Sequence, residues 1–279
     1  MAITVIIPAA GASTRFNEAA SGLLGGDGGG TVESGLGDVL SKLDADLGGR
    51  PLLQRAVELF VNRDDVAGVV VAGPADDAPF AAFSLRHADR LSMLGVKLVR
   101  GSNESRAATV QRALEAIDED DRVAVHDAAR PVTPVDLIDR VFAASEHHAA
   151  VIPAIAVDDT LKRVAAEAET DAPADPLAGI LGGAAASPVR RVEGTIDRAS
   201  LVRAQTPQVF RTEVLRRAYA SGHAGATDDA ELVQRLGESV VTVEGDAMNL
   251  KVTRPRDVEL TRVIGGFARP KERASHKRF

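Results

Sequence analysis

Short runs of β-branched residues alternate with helical patterns from the third residue of this chain to nearly the last. That rhythm is the sequence form of an α/β fold with a mostly parallel sheet flanked by helices, because parallel strands need a crossover and a helix is the usual one. Ile3–Ile7 reads as a buried strand, and Pro51 then stands at a helix start. After it, Leu52, Leu53, Ala56, Val57, Phe60 and Val61 recur at three-to-four spacing. Val69–Ala72, Lys97–Val99 and Arg122–Val125 are the next strands, with Val110, Ala113, Leu114 and Ile117 marking the stripe of a helix before the last of them. Pro134 opens a helix to about Ala144, and Ala149–Ile155 gives another strand. Helices follow at Thr212–Ala220, Asp228–Leu236 and Pro255–Gly265, with strands at Val240–Glu244 and Leu250–Val252.

Two stretches break the rhythm. Between Ala19 and Leu40 glycines crowd around Asp27, and nothing there can build a buried face, which predicts a flexible loop. Between Ala165 and Pro188 the chain is rich in Ala, Pro and Gly. Its flanks, Thr160–Val164 on one side and Val189–Val192 with Ala199–Ala204 on the other, read as strands outside the alternating pattern. They predict a projecting β-arm over about 158–205 with the low-complexity segment, about 165–188, as its tip. The expected organisation is one domain over 1–268, carrying that arm, and a solvated basic tail over 269–279.

Charge and composition narrow the function. Thirty-three Lys and Arg against 40 Asp and Glu leave a net charge of −7, which argues against a general nucleic-acid binder and requires any phosphate binding to be local. The absence of cysteine excludes a disulfide framework, thiol catalysis and thiolate metal sites, and fits a reducing compartment. Apolar runs such as Val5–Ala10 fall far short of the ~20 residues of a membrane span, and Met1–Thr4 has no basic n-region. The expectation is a soluble, cytoplasmic protein with no membrane or nucleic-acid partner.

In open parallel sheets ligands bind outside the carboxyl ends of the strands. The segment after Ile7 reads Pro8-Ala9-Ala10-Gly11-Ala12-Ser13-Thr14-Arg15-Phe16, whose small residues let backbone amides approach phosphate oxygens. It lacks the Gly-Lys-Ser/Thr end of a Walker loop and the three-glycine dinucleotide spacing. Arg15 and, beyond the glycine-rich loop, Lys42 offer positive charge. The segment after Val125 reads His126-Asp127-Ala128-Ala129-Arg130-Pro131. Asp127 suits a ribose hydroxyl or a magnesium ion whose other ligands are phosphates and water, and Arg130 has the fork geometry for a phosphate. His126 reads as a packed, locally bonded residue, since nothing forms a nucleophile-and-base pair with it. In Asn249-Leu250-Lys251-Val252-Thr253-Arg254-Pro255, Thr253 reads as a helix cap and Lys251 as facing the cleft from a strand.

Taken in order, Pro8–Phe16, Lys42, Val125–Pro131, Asp159–Arg163, Thr195–Arg198, Gln205–Gln208 and Asn249–Pro255 resemble the 2-C-methyl-D-erythritol 4-phosphate cytidylyltransferase family. The resemblance runs from about Ile3 to Ile264 and implies a Rossmann-like nucleotidyltransferase sheet. It implies transfer of CMP from CTP to methylerythritol phosphate, with magnesium and release of pyrophosphate, in the non-mevalonate route to isoprenoids. Residue by residue, it implies that Ala9, Ala10 and Gly11 meet the nucleotide through their backbone and that Arg15 and Lys42 stabilise the transition state. Gly101, Ser102 and Thr109 match cytidine contacts. Asp127 and Arg130 would lie between nucleotide and polyol phosphate, with Ala128 beside the nucleotide. Thr160, Arg198 and Thr206 match substrate-positioning residues, and Lys251 a lysine on the substrate phosphate. The family is a homodimer whose β-arm reaches the partner's site, so Thr160 and Arg198 would act in trans. Two loops depart from the family: the one between Arg15 and Lys42 is much longer, and Gly101-Ser102-Asn103-Glu104-Ser105-Arg106 replaces a shorter, two-glycine run. The rival expectations are a cytidylyltransferase for another polyol phosphate such as ribitol 5-phosphate, and a nucleotide-binding regulatory protein without turnover.

Overall fold

A computed structural model describes residues 2–11, 13–14, 16–19, 41–117, 121–168, 189–222 and 225–268. The glycine-rich loop expected at about 19–40, most of the expected arm tip and the basic tail lie outside the described residues. The chain divides into two compact units, the first made of Met1–Ala154 with Ala204–Phe279 and the second of Ile155–Arg203.

The first unit is built on β1 (Ile3–Pro8), β2 (Val66–Gly73), β3 (Lys97–Arg100), β4 (Arg122–Val125), β5 (Ala150–Ala156), β9 (Gln208–Arg211) and β10 (Val241–Glu244). They lie in the order β10-β5-β9-β4-β1-β2-β3. Among these seven strands every pairing is parallel except those of β9, which runs antiparallel to both β4 and β5. The helices are α1 (Leu52–Glu58), α2 (Asp77–Met93), α3 (Arg106–Glu115), α4 (Val135–Ser145), α5 (Thr212–Ala220), α6 (Asp229–Arg235) and α7 (Pro255–Ile264).

A sheet covered on both faces must bury alternate residues in opposite directions, and the strands do so. Ile3, Val5 and Ile7 of β1 point into one core with Leu52, Leu53 and Val57 of α1, Phe83 and Leu91 of α2, and Leu137 and Val141 of α4. Ile6 points the other way, into a core with Val110 and Leu114 of α3, Leu215 and Tyr219 of α5 and Val233 of α6. Leu52, Leu53 and Ile6 are fully buried, and side chains of this kind each contribute roughly 1.5–3 kcal/mol.

The mostly parallel α/β sheet agrees with the expectation, and three elements correct it in detail. Helix α2 was absent from the sequence reading; only Phe83, His87 and Leu91 are buried along it, a stripe interrupted by a histidine, while Leu85 and Met93 face solvent. Strand β9 hides behind Pro207. Leu250–Val252 is not a strand, because Val252 N bonds a single carbonyl, that of Ala129, and Leu250 N turns back to Met248 O. Thr253 is not the cap of α7 either. That place belongs to Arg254, and the Asp257 carboxylate accepts from Thr253 N, Thr253 Oγ1 and Arg254 N.

Topology then places the ligand site. Chain order takes the sheet from β1 outward through β2 to β3, and then back across to β4 on the other side of β1. The carboxyl ends of β1 and β4 therefore flank a topological switch point, where open α/β sheets bind ligands.

The second unit holds a two-stranded antiparallel ladder of β6 (Leu161–Val164) and β7 (Val192–Ile196), with a register shift between Arg163 and Val164; β8 (Val202–Ala204) follows in the chain and is a strand of the larger sheet. Strand β7 begins later than expected, since Val189 makes only an isolated bridge. Leu161 pairs with Ile196, so Thr160 and Arg198 stand at the same end of the ladder.

Candidate active site

The strand ends at the switch point enclose a cleft of about 440 Å³. One wall is Pro8, Ala9, Ala10 and Gly11 at the end of β1; others are Ser102, Asn103, Ser105, Arg106 and Thr109 around the start of α3; Asp127, Ala128 and Ala129 follow β4, and Lys42, Lys251 and Thr253 complete it. Among the expected residues, Ala9, Ala10, Gly11, Lys42, Ser102, Thr109, Asp127, Ala128 and Lys251 thus share one cleft. Arg15 lies outside the described residues. Thr160 and Arg198 belong to the second unit, where both are exposed.

The wall at α3 explains its glycine. A Cβ on Gly101 would lie 2.7 Å from Gly73 O and 2.8 Å from Thr109 Cγ2, so no other residue fits without moving backbone. Thr109 Oγ1 accepts from Ser102 N at 3.2 Å and lies 3.1 Å from the carbonyls of Ser102 and Ser105. Ser105 caps α3 by accepting from Ala108 N, which fixes the first turn that carries Arg106.

Asp127 is the centre of the charged residues. It is nearly buried, and its Oδ2 lies 2.9 Å from Lys251 Nζ and 3.3 Å from Arg130 Nε, while Oδ1 lies 3.4 Å from Arg106 Nε. Burial alone raises such a carboxyl; Arg106, Lys251 and Arg130 outweigh it and hold Asp127 well below the usual carboxylate range. Arg130 is committed behind the cleft, its second nitrogen donating to Asn249 O at 2.6 Å. Lys251 is 39% exposed and keeps further donor positions toward the cleft. Lys42 rides on a 3-10 turn, Lys42–Asp44, whose Ser41 cap accepts from Leu43 N, and its ammonium donates to Val252 O at 3.2 Å.

Behind Asp127 the network is neutral and closed. Asp127 N donates to Thr206 Oγ1 at 3.0 Å, which lies 3.3 Å from His126 Nδ1, and His126 Nε2 lies 3.1 Å from Arg130 O. The chain of donors is consistent if Thr206 donates to Nδ1 and Nε2–H donates to the carbonyl, which is neutral histidine. Burial pushes the His126 pKa down to about 4. His126 is thus the packed residue the sequence predicts, with the Phe60 ring edge-on at 5.0 Å.

Sequence reasoning missed three residues that build this site. Asn249 accepts from Thr133 Oγ1 and donates to Thr206 O, tying three loops together. Arg106 joins Asp127 to Asp229, and Asp229 is fully buried. The signal present was an arginine at the start of an amphipathic helix and two acids opening another; their meeting across 123 positions has no local signature.

Among the described residues no group of three or more His, Asp and Glu side chains can hold a metal ion, and Asp127 is the one carboxylate among those lining the cleft. Nor, among these residues, is any helix long and apolar enough to cross a membrane.

Known proteins agree with this geometry. The model of the family described as 2-C-methyl-D-erythritol 4-phosphate cytidylyltransferase matches residues 34–175 and 173–265. A relative of that name from Frankia casuarinae is 37% identical over 266 residues, covering 94% of this chain and 80% of its own. Another from Rhodococcus opacus is 38% identical over 231 residues, covering 82% and 88%. The crystal structure of 2-C-methyl-D-erythritol 4-phosphate cytidylyltransferase from Thermus thermophilus superposes with a TM-score of 0.64 at 31% identity, over 95% of this chain and 100% of that one. The switch-point cleft and its cations round one aspartate are therefore those of a chain that belongs to the 2-C-methyl-D-erythritol 4-phosphate cytidylyltransferase family.

Proposed function

We propose that this chain transfers CMP from CTP to the phosphate of 2-C-methyl-D-erythritol 4-phosphate, giving 4-diphosphocytidyl-2-C-methyl-D-erythritol and pyrophosphate. Its family is one of cytidylyltransferases, nucleotidyltransferase enzymes of the methylerythritol phosphate route to isoprenoids. The observation that carries the reading is the cleft itself, where Arg106 and Lys251 meet one carboxylate and Lys42 lines the same cavity beside a wall of small residues. In a chain of net charge −7, that local excess of cations selects a polyanionic ligand.

The chemistry needs no covalent enzyme intermediate and no general base. A phosphate oxygen of the polyol, already anionic, attacks the α-phosphorus of CTP; the new P–O bond forms as the bond to the β-phosphate oxygen breaks, and the electron pair leaves on pyrophosphate. The protein's task is alignment and neutralisation of charge. In this reading Ala9, Ala10 and Gly11 meet the nucleotide through backbone amides, and Ser102 and Thr109 bound the base side, where Gly101 permits the close approach. Arg15 and Lys42 take the charge that builds on the departing phosphates. Asp127 and Ala128 face the ribose, while Lys251 orients the attacking phosphate with Arg130 and Thr206 supporting Asp127 from behind. Magnesium would arrive with the triphosphate; among the described residues lining the cleft Asp127 supplies the one carboxylate that could reach it, and the ion would neutralise charge on the phosphates.

The working unit in this reading is a cytoplasmic homodimer in which Thr160 and Arg198 of each arm serve the other protomer's site. Exposed Val164 and Val192 support it, because a two-stranded ladder with an uncovered apolar surface calls for a partner.

The test is ³¹P nuclear magnetic resonance of CTP, magnesium and methylerythritol phosphate with the protein. Loss of the polyol monophosphate signal as a new diphosphate diester appears is the expected result. A monophosphate signal that persists while CTP is consumed would overturn the acceptor.

A further inference from the structure

Arg106 lines the cleft, but neither it nor Asp229 has a role in the bond changes above, and the two close the network round Asp127. Lys251 and Arg130 both meet Oδ2 of Asp127. Two cations on one oxygen leave the carboxylate able to turn about its Cβ–Cγ bond, and Arg106 Nε, facing Oδ1, opposes that turn. Arg106 is 31% exposed toward the cleft, but its other end is gripped: NH1 donates to Asp229 Oδ2 at 2.7 Å. Asp229 Oδ1 accepts from the Tyr219 hydroxyl.

The support behind Asp229 is rigid. It opens α6, whose N-cap Asp228 accepts from Glu231 N. Gln208 of β9 bolts that turn to the sheet, donating to Asp228 Oδ2 at 2.9 Å and accepting from Ala230 N at 3.2 Å. Gln208 is paired in register with Val125, two residues before Asp127. The link thus runs from the sheet through α6 to Arg106 and back to the strand end that carries Asp127. Burial opposes the Arg106 charge, and Asp229 and Asp127 together keep it.

We propose that Asp229 and Arg106 are positioning residues: the buried Asp229 carboxylate holds the Arg106 guanidinium with Nε toward Asp127 Oδ1, which fixes the orientation in which Asp127 meets the nucleotide and so sets affinity for CTP. The proposal rests on the nucleotidyl-transfer reading for the identity of the ligand. Lysine at 106 keeps a charge for Asp229 but lacks the planar fork that spans two carboxylates, so Arg106→Lys separates positioning from folding.

The experiment is calorimetric titration of CTP with magnesium into the full chain, for the wild type, Arg106→Lys and Asp229→Asn, with both substitutions repeated in an Asp127→Asn background. Each alone weakens CTP binding about tenfold, the scale of outer-shell supports, and in the Asp127→Asn background each changes it by less than about twofold. A purely structural role would lower Tm and leave CTP affinity unchanged; should Asp229→Asn fail to fold, Arg106→Lys decides alone. Wild-type affinity in Arg106→Lys, or an equal loss in both backgrounds, overturns the proposal. The titration needs no polyol, so failure of the wild type to release pyrophosphate with methylerythritol phosphate would contradict the reaction without altering this result.

Discussion

At position 42 the ammonium donates to the Val252 carbonyl 3.2 Å away, in the cleft that Asp127 also lines. Its turn is held by contacts that do not involve the ammonium: the Ser41 cap, buried Leu43, and Asp44, whose Oδ1 lies 2.8 Å from His87 Nε2. Lys42→Ala should therefore leave Tm nearly unchanged while kcat falls by about 100-fold or more, the scale of losing one donor aimed at developing charge. Steady-state kinetics beside a thermal melt checks this, and an unaltered kcat removes Lys42 from the mechanism. His126 makes the opposite case, a titratable group whose function is to stay neutral. Its folded pKa of about 4 lies below the unfolded value near 6.5, so its contribution is complete above about 6.5 and is lost as pH falls toward 4. Within that window the group adds a slope of up to about 1.4 kcal/mol per pH unit, since the unfolded chain binds one more proton. Denaturant titrations of His126→Gln across pH 4–6.5 should show a flatter dependence than the wild type; parallel curves would contradict the neutral-histidine network.

Among the elements, the loops after β4, before β9 and before α7 converge on one buried amide. Asn249→Ala removes the bonds to Thr133 Oγ1 and Thr206 O and leaves both partners buried. It should destabilise the fold by about 2 kcal/mol or more and raise KM for the polyol phosphate, because Lys251 is two positions on. Chemical denaturation and saturation kinetics read the two effects, and a variant as stable as the wild type would show that the three loops hold without it. The same elements show what the sequence discloses. Strands β1, β2 and β4 were legible because burial on both faces demands unbroken runs of Val, Ile and Ala, and the segments following β1 and β4 carried candidate residues. Helix α2 was not, since one buried residue per turn, one of them His87, leaves no clear stripe. Strand β9 was concealed because its four residues, Gln208–Arg211, set only two apolar side chains between Pro207 and a charged end, and Leu250–Val252 looked like a strand although it makes only loop contacts. Site residues whose partners are close in sequence, such as Asp127 and Arg130, were found; Arg106 and Asp229 were not, because only the packing of α6 against β9 brings them together.

For the whole molecule, charge and assembly follow from the same residues. A net charge of −7 with cations gathered in one cleft makes substrate capture a local effect, which salt should weaken through KM rather than kcat. Exposed Val164, Val192 and Val202 on the second unit lead us to expect a dimer. Sedimentation at micromolar concentration should show twice the 29.2 kDa chain mass, and charged substitutions at Val192 and Val202 should yield monomers of low activity; an active wild-type monomer would contradict service of each site by its partner's arm. The central claim is the reaction. Its most direct test is pyrophosphate release from CTP and magnesium, measured without a polyol, with methylerythritol 4-phosphate and with ribitol 5-phosphate. Release that requires methylerythritol 4-phosphate is the predicted result; silence with every polyol, in a folded protein that still binds CTP, or release specific to ribitol 5-phosphate, would contradict it.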